Sequence, residues 1–221
     1  MKNEKLFEKD FKLMTEVFPQ LNHFEINQVN TAWLIIGQID IFDSVGTYWD
    51  TFSIKICVPY EYPYCVPIVL ETENKIERGQ HRHINEIGMC CLDINHRLLV
   101  LKKRGINLTS FIKEKVYPYF ANQIYYEQEK KYANGEYDHY FDGTQQFYKE
   151  DLNIPSIEQA IEIIKFTLSK QKLHRNDLCF CGNKKYKDCH LSVVEFLNSV
   201  GSDQLEKDLS DFEKLLVKLY S

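Results

Sequence analysis

The sequence predicts an α+β fold, because helical and extended patterns are segregated along the chain instead of alternating. Three observations carry this. Phe7, Phe11, Met14 and Phe18 fall at spacings of 4, 3 and 4, one face of a helix that Pro19 stops. From Phe24 to about Leu70, the segments WLIIGQIDIF, TFSIKICV and PIVLETE are rich in β-branched and aromatic residues and are parted by turn-forming stretches. After Leu108 helical spacing returns, and it recurs at Ser156 and from about Ser202.

The first element is therefore an N-terminal helix over about residues 4–18. In TFSIKICV, Phe52, Ile54, Ile56 and Val58 alternate with Ser53, Lys55 and Cys57, the period of a strand with one buried face. With its neighbours it predicts an antiparallel meander of three or four strands. Residues 72–106 show no sustained period and predict a long ordered loop, which in a compact domain is usually functional. A helix follows from Leu108 to Lys131, disturbed at Pro118. The stretch 134–150 is turn-rich and aromatic, and its pattern assigns no state. Ser156 and Gln159 have capping-box spacing, with Ala160, Ile163, Ile164 and Leu168 at helical intervals behind them. The last helix starts near Ser202, with Leu205, Leu209, Phe212, Leu216 and Leu219 on one face. This divides the chain into a main domain, 1–150, and a helical extension, 151–221.

Bulk properties narrow the function. The 221 residues are 44% hydrophobic and 27% charged, enough for a real core. A net charge of −5 argues against a general nucleic-acid binder. No apolar run approaches the ~18 residues that a membrane span requires. The start, MKNEKLFEKDF, is too charged for a signal peptide. The expectation is a cytoplasmic protein whose seven cysteines stay reduced.

The chemistry concentrates in two places. The first is HINEIGMCCLDINHR, residues 83–97. Cys91 is the candidate nucleophile: a free thiol with pKa near ~8.5 is only slightly ionised at neutral pH, yet its thiolate attacks acyl groups well. Acyl transfer also needs a donor for the developing oxyanion, and an amide side chain can serve. Asn85 supplies one, either steadying that oxygen or bracing the loop. His83 lies beside it, Gly88 permits a tight backbone path, and Asp93 can cap the turn that follows. Cys90 faces the other way in an extended segment and is expected in the core, as are Cys57 and Cys65. The second place is RNDLCFCGNKKYKDCH, residues 175–190. Cys179 and Cys181 form one half of a tetrahedral Zn²⁺ site, and Cys189 and His190 the other. Lys184, Lys185 and Lys187 offset the charge of three thiolates. So small an element draws its folding free energy from the metal.

The first region resembles the ubiquitin-conjugating enzyme family. VPYEYPYCVPIV, with Tyr62, Pro63 and Pro67, is similar to the proline-rich segment after that family's third strand. His83 and Asn85 match its His–Pro–Asn tripeptide, with Ile84 in place of proline, and Cys91, Leu92 and Asp93 match the segment at its catalytic cysteine. Over roughly residues 1–130 the resemblance implies a helix, a four-stranded antiparallel meander, a long active-site loop and C-terminal helices. It implies that Cys91 forms a thioester, with Asn85 and His83 as its companions. CFCGN, KYK and CH, preceded by RND, resemble the SEC-C motif, a zinc-binding element over about residues 174–191. The combination resembles the bacterial stand-alone conjugating enzymes of CBASS anti-phage operons. There the partner is a cGAS/DncV-like nucleotidyltransferase whose C-terminus is joined to an amine. With no glycine-rich nucleotide loop here, either another protein activates that carboxylate or the thioester arises differently. The alternatives are an inactive binding module of the same fold and a zinc-dependent interaction protein. Neither a membrane nor a nucleic-acid partner is expected.

Overall fold

A computed structural model of the chain describes residues 3–28, 31–133 and 135–220. The fold is α+β, with a helix, a four-stranded antiparallel meander, a long loop and further helices in that order. The chain forms two compact units. The first holds the residues up to Asp93 together with Leu101–Glu136; the second holds Ile94–Val100 and the chain from Tyr137 onward.

In the first unit, α1 (Glu4–Thr15) is capped by the Asn3 side chain, which accepts the Leu6 N–H. It buries Phe7 and Met14 completely. It stops at Thr15, short of Phe18, whose N–H still reaches the Met14 carbonyl at 2.8 Å and whose ring is buried. Strands β1 (Leu21–Gln28), β2 (Thr31–Phe42), β3 (Tyr48–Val58) and β4 (Ile68–Glu71) pair in sequence order. The alternation in β3 is real: Phe52, Ile54, Ile56 and Val58 are buried, and Ser53, Lys55 and Cys57 are half-buried. The register sets Ile35 opposite Ile56 and Trp33 opposite Val58, so their apolar side chains share one face. Phe7 of α1 stacks on Trp33 with ring centres 4.2 Å apart, which seats the helix on that face. The Tyr62 hydroxyl donates to Asp10 at 2.5 Å and ties the proline-rich segment to α1.

The loop after β4 is shorter than its aperiodic sequence predicts. A helix, α2 (Asn95–Arg104), occupies the last third of the expected stretch. Its buried positions are His96 and Val100, one of them polar, so no apolar stripe marks it in the sequence. Lys102, Lys103 and Arg104 in its last turn complement the helix dipole. Next come α3 (Leu108–Phe111), a π-helical turn (Ile112–Val116) and α4 (Tyr117–Glu129). The disturbance at Pro118 is present and has a cause. Pro118 has no N–H to give the carbonyl four residues back, and the ladder shifts by one, with the Tyr117 N–H bonded to Ile112.

The second unit contains the first part of α2, then α5 (Tyr140–Glu150), α6 (Ile157–Leu168), α7 (Leu191–Val200) and α8 (Ser202–Tyr220). Helix α5 fills the stretch that had no assigned state. Gly143 belongs there because a Cβ would sit 2.0 Å from the Asp138 carbonyl oxygen. Ser156 caps α6 as its spacing predicts, accepting the Gln159 N–H at 3.2 Å. On α8, Leu205 and Phe212 are buried and Leu209 and Leu216 half-buried, but Leu219 is 63% exposed and outside the predicted face. Past Leu101 the compact units meet between Glu136 and Tyr137 along the chain. Phe147 and Tyr148 of α5 belong to the core formed by Ile163, Ile164, Leu197 and Phe212, which draws α5 into the second unit. That core also encloses a polar network. Asp208 of α8 accepts from Tyr148 at 3.0 Å and from Gln204 at 2.7 Å, and lies 2.6 Å from His96 Nε2. Among the described residues, no helix is long and apolar enough to cross a membrane.

Candidate functional site

The loop carrying the adjacent thiols is stitched to β4 by backbone bonds. Cys90 N–H donates to Val69 at 2.9 Å, and Glu71 N–H to Gly88 at 2.9 Å. The loop also folds onto itself: Asn85 N–H reaches Met89 at 3.1 Å and Cys91 N–H reaches His83 at 2.8 Å. Gly88 makes this path possible. Its φ is +84°, and a Cβ there would lie 2.3 Å from the Glu71 carbonyl oxygen. On this extended ladder neighbouring side chains point to opposite sides. Cys90 turns inward, 7% exposed, and Cys91 is exposed.

Cys91 is exposed, yet partial desolvation pushes its thiol pKa up. Burial pushes the Cys90 thiol up to about 12. Cys65 is buried in the core as expected, whereas Cys57 is half-buried on the other face of β3 and outside that core. Asn85 braces the loop with its side-chain carbonyl, which accepts the N–H groups of Ile87 at 3.1 Å and Met89 at 2.8 Å. The same amide plane carries the two Nδ2 hydrogens, the donor that the sequence argument needs. His83 contributes its backbone: the carbonyl receives Cys91, and φ +50° and ψ 41° place the residue in the left-handed region. Its ring faces Glu136 at 2.9 Å. His81 lies 3.5 Å from Glu77, and His96 belongs to the buried network of the second unit. Asp93 is held by Lys115 at 2.5 Å, with its side chain 7% exposed.

One set of residues escapes the sequence argument. Tyr119 and Gln123 of α4 are buried, as is Arg82 just before the His83 turn. Arg82 Nε donates to Gln123 at 2.8 Å, its guanidinium pairs with Glu127, and it lies over the Tyr126 ring at 4.7 Å. The signal was available as the spacing of Tyr119, Gln123 and Glu127, a polar stripe on one helix face.

The C-terminal cysteines form a second centre, within the second unit. Leu178 bridges Lys185, the Cys179 N–H donates to Lys184 at 2.8 Å, and the Gly182 N–H closes a tight turn on Cys179 at 2.8 Å. His190 stands at the N-terminus of α7. The four ligand atoms of Cys179, Cys181, Cys189 and His190 all lie within 4.8 Å of one another. Cys179 Sγ and Cys189 Sγ are 3.3 and 3.5 Å from His190 Nδ1, and Cys181 Sγ is 3.5 Å from Cys189 Sγ. Sulfur ligands on a tetrahedral zinc with bonds of ~2.3 Å stand about 3.8 Å apart, so the spacing fits that ion. The chemistry of the donor set agrees, being three soft thiols and an imidazole. Burial and the neighbouring Cys181 and Cys179 push the Cys189 thiol up to about 12; three thiolates this close need a cation to share. Phe180 stacks on His190 at 5.1 Å and on Phe166 of α6 at 4.1 Å, fixing the turn from both sides. The cluster can thus hold a metal ion. A comparison with models of known protein families finds none that matches this chain, and a comparison with curated proteins likewise finds no match.

Proposed function

We propose that this protein is a ubiquitin-conjugating-like cysteine acyltransferase. One observation carries the reading: of two adjacent thiols, only Cys91 is presented outward, on a loop pinned to the sheet edge and braced by Asn85. The order of helix, meander, loop and helices supports it. The Cys91 thiolate attacks a partner protein's C-terminal acyl group, already activated by another protein. A C–S bond forms and the activating group leaves. An amine then attacks the thioester, a C–N bond forms and the thiolate leaves. Desolvation raises the Cys91 pKa and lowers its thiolate fraction, so the reaction depends on a donor that is already activated. The Cys179, Cys181, Cys189 and His190 cluster is read as a SEC-C motif: these four residues would hold a structural Zn²⁺, which would supply the charge that neutralises the thiolates, and they orient the turn before α7. The proposed donor is the C-terminus of a cGAS/DncV-like nucleotidyltransferase, as in bacterial CBASS antiviral defence. The test is expression of the chain with its genomic neighbours and mass spectrometry of Cys91. An adduct released by hydroxylamine and absent from Cys91→Ala is the expected result; an unmodified Cys91 in the presence of donor and activator overturns it.

The raised thiol pKa favours a second reading, an inactive module that only holds a partner's tail. Full biological activity in Cys91→Ser would select it.

A further inference from the structure

The backbone that precedes the active-site loop is held in an unusual way. Three successive carbonyls, of His81, Arg82 and His83, each accept a side chain from α4 or the residues just after it. Tyr132 donates its hydroxyl to His81 at 2.9 Å. Gln123 Nε2 donates to Arg82 at 3.0 Å. The Tyr119 hydroxyl shares its proton between Arg82 at 3.1 Å and His83 at 3.3 Å. His83 is not glycine yet occupies the left-handed region, a conformation that persists only where surroundings over-determine it. These bonds supply that determination. The His83 carbonyl then receives the Cys91 N–H at 2.8 Å, which fixes the peptide plane from which the Cys91 side chain departs. One hydroxyl on a helix therefore holds the carbonyls of two successive residues, Arg82 and His83, the second of which receives Cys91.

We propose that Tyr119 is a positioning residue for Cys91, acting through the His83 carbonyl to which both bond. The inference rests on the reading of Cys91 as the acyl-accepting thiol. Its packing role is separable: the ring is buried against Phe120, and phenylalanine would keep that contact. In Tyr119→Phe, hydrogen exchange at the Cys91 amide is expected to accelerate about five- to tenfold, with β2 and β3 protected as before. Thioester formation is expected to fall in kcat with KM for the acyl donor held, and the pH profile of Cys91 alkylation by iodoacetamide to shift. Unchanged Cys91 exchange and alkylation in Tyr119→Phe overturn the proposal. If wild type forms no thioester, the acyltransferase reading fails, while exchange and alkylation still decide the role of Tyr119. Should Tyr119→Phe not fold, Tyr132→Phe removes the neighbouring bond to His81. It is expected to move Cys91 exchange in the same direction, and no movement there overturns the proposal.

Discussion

At Cys90 and Cys91 a change of one position separates two chemical fates. Cys90 is sealed behind the ladder, and its pKa of about 12 stands far above the ~8.5 of an unfolded thiol. The sign of the pH effect follows. The folded state keeps a proton that the unfolded state sheds, so this contribution to stability is complete below ~8.5 and drains away as pH rises toward 12. Cys90→Val is expected to flatten part of the alkaline fall in Tm between these limits, whereas Cys91→Ala leaves more of it. Equal profiles for wild type and Cys90→Val would contradict the inward placement. The opposite orientation of the two thiols was legible from the extended character of the segment. That Asn85 could brace the loop was also legible, but its partners were not, because they depend on the Ile87 and Met89 N–H groups turning back through Gly88.

Among the elements, strong periodicity was readable and mixed periodicity was not. Helix α1 and the meander declared themselves because Phe7 and Met14, and the alternation in β3, are uninterrupted apolar patterns. Helix α2 hides behind a buried histidine, and α5 behind Gly143 and a run of aromatic and polar residues. Helix α7 buries only Val194, Leu197 and Val200 and follows the cysteine cluster without a break, so no boundary marks it. The network that α4 builds around Arg82 gives a test at this scale. Arg82→Met removes a guanidinium whose side chain is 3% exposed and leaves the Gln123 acceptor unpaired in the interior. It is expected to cost roughly 2–4 kcal/mol in urea unfolding. A loss within experimental error would mean that Arg82 is solvated.

For the whole molecule, metal content is the decisive measurement. Metal analysis is expected to find one zinc per chain, and a strong chelator to lower Tm and open residues 170–190 to proteolysis. Cys179→Ser is expected to do the same without chelator; an unaltered digestion pattern after metal removal would set the zinc reading aside. The cluster was legible because ligand spacing alone defines it. No local pattern shows that Ile94–Val100 packs with the chain beyond Tyr137. That arrangement bears on how the molecule is made. His96 leaves the ribosome 112 residues ahead of Asp208, its carboxylate partner. The ring can stack on Phe147 of α5 much earlier, but its acceptor arrives only when α8 is delivered at the end of synthesis, and a stalled or prematurely terminated chain would enclose that imidazole without its carboxylate.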